Sequence, residues 1–128
     1  MLVVDDHPEA AEITCTFLRM VGHDCVMATT GREGLAIAAS RPIDIALLDI
    51  GLPDISGYEV ARTLRSTRGR SIFLAAITGS SDPNDRMRAV EAGFDGYVMK
   101  PTSCKVLRDI LTAAEARLTS REGSPARP

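Results

Sequence analysis

Five times along this chain a short apolar run gives way to a stretch in which apolar residues recur at helical spacing, and a capping or turn residue marks each change. Strands joined through helices run parallel. The pattern therefore predicts an α/β fold with a parallel sheet, right-handed crossovers and helices on both faces. A chain of 128 residues, 45% of them hydrophobic, has room for one such domain and its core.

The first apolar run, Leu2–Val4, ends at Asp5 and Asp6. Pro8 suits a first helical position, with Asp6 or His7 as the cap and Ala10, Ile13, Phe17, Leu18 and Val21 as the apolar face until Gly22. Residues 25–28 read as a second strand, and Thr30 followed by Glu33 has capping-box spacing for a helix reaching about Ser40. Residues 43–48 carry more apolar positions than simple alternation allows, as expected of a strand buried on both faces, and close on Asp49. A loop with Gly51, Pro53 and Gly57 leads to a helix with Val60, Ala61 and Leu64 inside and Arg62, Arg65 and Arg68 on its outer, solvated side. Residues 72–77 form the next strand, which stops at Thr78. A helix from near Pro83 ends at Gly93. Gly96–Met99 is the fifth strand, closing on Lys100 and Pro101, and Ser103 caps a last helix with Val106, Leu107, Ile110, Leu111, Ala114 and Leu118 on one face. From Ser120 onward nothing remains to bury, so 120–128 is expected to be a disordered tail or linker behind a domain spanning 1–119.

Charge and cysteine usage exclude several functions. The net charge is -2 with no like-charge block, which argues against direct nucleic-acid binding. No apolar run approaches the roughly 20 residues of a membrane span, so a soluble, cytoplasmic domain without a membrane span is expected. Three cysteines, Cys15, Cys25 and Cys104, with no CxxC pair, are expected to be small buried or half-buried hydrophobes rather than a disulfide framework.

In a doubly wound sheet the ligand site lies outside the carboxyl ends of the strands. Asp5 and Asp6, Asp49, Thr78 and Lys100 close strands one, three, four and five, which neighbour one another if the strand order is 2-1-3-4-5. Two carboxylates ~4 Å apart repel by about 4 kcal/mol at an effective dielectric near 20, so such a cluster calls for a cation or a proton. Hard oxygens with room for water suit Mg²⁺, while a lysine ammonium and a threonine hydroxyl complement a phosphoryl group. Asp49 is the best nucleophile: it precedes a turn, so helix capping does not explain it. Asp6, by contrast, is also an ordinary helix cap, and Lys100 could be a surface lysine lying over apolar neighbours. His7 beside two aspartates is a weak transition-metal ligand set and reads better as a helix-start histidine. No GxSxG elbow and no GxGxxG loop occurs.

The stretches VVDDHPE, ALLDIGLPDISGYEVARTLR, AAITG and AGFDGYVMKP resemble the receiver domain of bacterial two-component response regulators, over about residues 1–119. The resemblance implies a flavodoxin-like (βα)5 fold and a signalling switch in place of a turnover enzyme. It implies that Asp49 accepts a phosphoryl group from a histidine kinase or histidine phosphotransfer protein, in a Mg²⁺-dependent reaction followed by slow self-hydrolysis. By the same resemblance Asp5, Asp6, Asp49 and the Gly51 carbonyl hold the metal, Thr78 and Lys100 contact the phosphoryl oxygens, and Tyr97 follows the movement of Thr78. A cis Lys100–Pro101 peptide would aim the lysine, and a downstream effector or output domain would read the switch. The start almost at the first strand departs from the family and reads as an excised domain or a trimmed start, while the DIGLP loop and the tail resemble receivers attached to hybrid sensor kinases or other multidomain regulators. The rival readings are a receiver-like interaction module that works without phosphate, an FMN carrier and a haloacid-dehalogenase-like phosphatase. DDHPE in place of a hydroxyl-rich phosphate loop disfavours the second, and the absence of a DxD pattern disfavours the third.

Overall fold

The two most apolar strands stand at the centre of the sheet, covered on both faces. In the computed structural model, which describes residues 1–79, 82–100 and 102–123, β3 (Ile45–Asp49) and β4 (Phe73–Thr78) are buried along their whole length. β1 (Leu2–Val4) lies beside β3, β2 (Val26–Ala28) forms one edge and β5 (Gly96–Met99) the other, all parallel in the order β2-β1-β3-β4-β5. Period-two alternation sorts the core into two layers. Leu2, Val4, Ala46, Leu48, Leu74 and Ala76 pack beneath α2 (Gly31–Ser40), α3 (Gly57–Arg68) and α4 (Pro83–Ala92). Val3, Ile45, Leu47, Phe73, Ala75 and Ile77 pack beneath α1 (Pro8–Met20) and α5 (Cys104–Gly123). Each fully buried Leu or Ile contributes roughly 1.5–3 kcal/mol by leaving water. No helix among the described residues is long and apolar enough to cross a membrane.

Local signals behave as physics requires in most places. Ser56 caps α3 by accepting from the Glu59 N–H at 3.2 Å, and Gly93 ends α4 with φ 103°, a conformation L side chains rarely adopt. The Thr30 hydroxyl accepts from the Glu33 N–H at 3.1 Å, but the Glu33 carboxylate reaches back to the Thr29 N–H at 2.8 Å, so the reciprocal pair closes one residue early.

Several expectations are corrected. On α1 the buried residues are Ala11, Thr14, Cys15 and Leu18, while Ile13 is 72% exposed and Val21 lies at the surface. The helix thus turns Thr14 and Cys15, with Ala11 and Leu18, to the sheet, and the Cys15–Cys25 bond lies on that face. Neither Asp6 nor His7 caps α1 through its side chain; instead the His7 N–H donates to Asp5 Oδ1 at 3.0 Å. Arg65 and Arg68 are not solvated. Arg65 donates to the carbonyls of Gly93 and Ile72 and pairs with Asp95 at 2.6 Å, and Arg68 donates to the carbonyls of Ala38 and Ile43. The last turn of α2, the end of α4 and the residues leading into β3 and β4 present carbonyls to which these long side chains supply the donors.

The cysteine expectation is half corrected. Cys15 and Cys25 are buried, as small hydrophobes would be, but their sulfurs are joined in a disulfide with the Cα atoms 5.6 Å apart. The short turn after α1 folds the residue preceding β2 back under the helix, a proximity that the spacing of two cysteines does not announce. Cys104 is free and exposed. The backbone of α5 runs on to Gly123, into the segment expected to be tail; residues 124–128 lie outside those described.

Candidate functional site

Register brings the strand-end residues together. β1 and β3 pair with Val4 opposite Leu48, which sets Asp5 beside Asp49; β4 and β5 pair with Thr78 opposite Met99, which sets Lys100 just beyond. Asp5, Asp49 and Thr78 are 4%, 5% and 8% exposed, so these polar groups line the floor of the crevice and are not surface decoration. Backbone bonds hold the floor in place. The Asp5 N–H donates to Ala28 at 3.0 Å, the Ile50 N–H to Ile77 at 3.1 Å and the Lys100 N–H to Thr78 at 2.7 Å.

Lys100 Nζ stands 2.8 Å from Asp49 Oδ2 and 4.0 Å from Asp5 Oδ2, while the Gly51 N–H donates to Asp49 Oδ1 at 3.0 Å. Burial, together with the nearby Asp49 charge, pushes the Asp5 carboxyl up, against the His7 N–H and the attraction of Lys100. Burial also pulls the Lys100 ammonium down, but its hydrogen bond to Asp49 and the charges of Asp49, Asp5 and Asp6 outweigh it and hold it above the ordinary lysine range. One lysine thus faces three carboxylates, and the balance of charge favours a further cation.

One ligand-type atom from each of Asp5, Asp6, His7 and Asp49 lies within 4.8 Å of the others. Asp6 Oδ1 is shielded from solvent without a hydrogen-bond partner among the described residues, although His7 Nδ1 is 3.1 Å away. A shielded carboxylate oxygen without a donor, in a set of hard oxygens, fits Mg²⁺. His7 itself is largely exposed, as a helix-start histidine would be. Tyr97 is partly buried at the edge of the core, with the Arg86 guanidinium 5.3 Å from its ring centroid. The peptide bond between Lys100 and Pro101 lies outside the described residues.

The chain matches the model of the response regulator receiver domain over residues 1–112. It belongs to the response regulator receiver domains. This receiver is 38% identical over 127 residues to the DNA-binding response regulator MtrA of Mycolicibacterium smegmatis, covering 98% of the chain and 53% of that protein. It is 34% identical over 120 residues to the transcriptional regulatory protein KdpE of Mycobacterium tuberculosis, covering 94% and 52%. The sensor histidine kinase RcsC of Escherichia coli is 28% identical over 97% of the chain but only 13% of its own length. The receiver thus spans about half the length of the curated regulators it matches, and less of the kinase. A CheY-like receiver from Methanospirillum hungatei superimposes with a TM-score of 0.84 at 29% identity, covering 91% of this chain and 93% of that one. Receivers are modules of phosphorylation-controlled signalling, not conventional turnover enzymes, and the flavodoxin-like order 2-1-3-4-5 expected for this receiver is the one observed.

Sequence reasoning missed Asp54. Its carboxylate accepts from the N–H groups of Gly31 and Arg32 at 2.8 and 2.9 Å, pinning the loop after β3 to the amino end of α2. No local signal could have found this contact, because the partners are more than twenty residues away, as the separations of 23 and 22 record. The Arg32 N–H, followed by the other amide donors, holds the Asp54 carboxyl down to about 2, from an ordinary 3.8. A depressed folded-state value means that its contribution to stability is complete above the unfolded value and is lost as pH falls through about 2. The stability gap between the parent chain and Asp54→Asn is therefore expected to be full at about pH 5 and to shrink towards about pH 2. Urea unfolding at both pH values measures it, and a gap that does not change would show that the charge of Asp54 contributes nothing.

Proposed function

We propose that this receiver is a switch loaded by phosphoryl transfer onto Asp49. The observation that carries the reading is the buried, strand-end Asp49 carboxylate held by Lys100 at 2.8 Å inside an acidic cluster. The donors are a histidine kinase or a histidine phosphotransfer protein, and the reader is an effector or output domain. Asp5, Asp6, Asp49 and the Gly51 carbonyl are the oxygens that would hold Mg²⁺, which when bound supplies positive charge against the phosphoryl oxygens.

In the transfer, an Asp49 oxygen forms a bond to phosphorus as the phosphorus–nitrogen bond to the donor imidazole breaks, and its electron pair leaves with the nitrogen. Lys100 exchanges its contact with Asp49 for one with a phosphoryl oxygen, and the Thr78 hydroxyl donates to another. Hydrolysis of the acyl phosphate by the same site is slow and returns Asp49. The exposed Ile13, beside a cavity of about 550 Å³ that reaches Asp5 and Lys100, offers apolar contact to a protein donor next to the site. The interaction module that works without phosphate has no use for the shielded carboxylates and the lysine held against them. Incubation with a small acyl phosphate tests the proposal: the intact mass should rise by one phosphoryl group with Mg²⁺ and not without it. A chain that stays unlabelled with the metal present would overturn the reading.

The switch is proposed to run from Thr78 to Tyr97. Phosphoryl contact draws Thr78 inward and Tyr97 turns into the space left, moving the surface formed by α4, β5 and α5. Two or three charge-assisted bonds supply a few kcal/mol, enough to move a two-state equilibrium by orders of magnitude. Thr78→Ala should keep phosphoryl acceptance to within about tenfold and lose the beryllofluoride-induced NMR shifts around Tyr97, Met87 and Lys105. Equal shifts in both chains would refute the coupling.

A further inference from the structure

From the placement of the disulfide we infer that Cys15 and Cys25 are a reversible redox modification site, exchanging with low-molecular-weight disulfides, whose closed form locks the β2 edge and the acidic end of β1. The pair joins α1 to the residue just before β2 across a sequence separation of 10, over the turn that contains Gly22 at φ 97°. β2 is a short edge strand: it is three residues long, among the described residues it pairs with β1 alone, and Met27 is exposed. Local opening starts at such edges. What β2 holds matters to the site: Ala28 accepts the Asp5 N–H at 3.0 Å, and Val26 donates to Met1 at 2.9 Å, so an edge that opens releases the backbone of the strand bearing Asp5.

Cys15 is 0% and Cys25 7% exposed, so exchange proceeds through Cys25. In closing, the Cys25 thiolate attacks a small disulfide, forms a mixed disulfide and releases one thiolate. The Cys15 thiolate then attacks the Cys25 sulfur and expels the second. The cysteines are oxidised, the small disulfide is reduced to two thiols, and these take up the two protons. Opening reverses both steps. Both residues are shielded from solvent, so reagents reach the sulfurs chiefly when the edge opens, and either state persists once formed. This device does not depend on phosphoryl transfer.

The test uses the full chain with Cys104→Ser, which leaves only the buried pair. Treatment with oxidised glutathione should remove two hydrogens from the reduced chain and leave no adduct, and dithiothreitol should restore them. Amide exchange at Val26 and Asp5 should be at least about tenfold slower in the oxidised form, and the melting temperature several degrees higher. A chain that keeps both thiols, or that stops at a glutathione adduct, would overturn the inference, as would equal exchange rates at Val26 and Asp5 in the two states. Cys15→Ala/Cys25→Ala should be indifferent to both reagents. Because the parent pair is compared in its two states, a failure of that variant to fold leaves the test standing.

Discussion

Asp49→Asn is expected to take up no phosphoryl group at all from a small acyl phosphate or from a phosphorylated histidine donor. The neutral amide lacks the negative charge that makes a carboxylate oxygen a nucleophile towards phosphorus, and no neighbour is placed to replace it. Asp5 is equally buried, but its Oδ2 stands 4.0 Å from Lys100 Nζ against 2.8 Å for Asp49 Oδ2, so Asp49 is the carboxylate held by the lysine that is to meet the phosphoryl group. Asp6 belongs to the partly exposed rim. The substitution is isosteric, and the introduced amide would keep an oxygen for the Gly51 N–H, so folding should survive; losing one of three crowded carboxylates even relieves repulsion. Intact-mass measurement settles the point. Full labelling of the variant would move the acceptor to another residue, and a variant that is both unlabelled and unfolded would be recognised by its amide spectrum.

Gly57→Ala should destabilise the domain by about 3 kcal/mol, near the upper end of what overpacking a core usually costs. A Cβ at this position would lie 2.5 Å from the Asp49 carbonyl oxygen and 2.7 Å from Ile50 Cα. Both neighbours are backbone, so no side chain can rotate away. Retreat is blocked on each side: Asp49 is paired in the central strand, and the Gly57 N–H is bound to the Ile50 carbonyl at 2.9 Å. The α3 start packs against the backbone of Asp49 itself, so any retreat there would move the proposed acceptor. Phosphoryl acceptance should therefore fall along with stability. Urea unfolding and labelling rate are the two measurements, and a variant within about 0.5 kcal/mol of the parent would show that the helix can shift without cost.

The acidic pair after β1, Asp49 at the end of β3, Thr78 and Lys100 were all legible as residues, because each ends an apolar run and chemistry at strand ends has a known address. The order of elements followed from hydrophobic period together with the capping and turn residues that mark each change, and the doubly buried β3 and β4 announced themselves by being apolar at every position before the closing polar residue. What periodicity cannot express is rotation and reach. α1 turns Ala11, Thr14, Cys15 and Leu18 to the sheet, which leaves Ile13 outside although its spacing is that of a core residue. The arginines of α3 look solvated on a helical wheel, and only the fold reveals the unpaired carbonyls of Ala38, Ile43, Ile72 and Gly93 that they satisfy. The contact of Asp54 with α2 and the union of Cys15 with Cys25 are likewise meetings of segments that local sequence treats as strangers. Local pattern determined which residues form strands, helices and strand ends, since those depend on neighbours in the chain. Tertiary structure alone decided which polar groups would find one another, because burial removes water as a partner and leaves each group to whatever donor or acceptor the packing brings within reach.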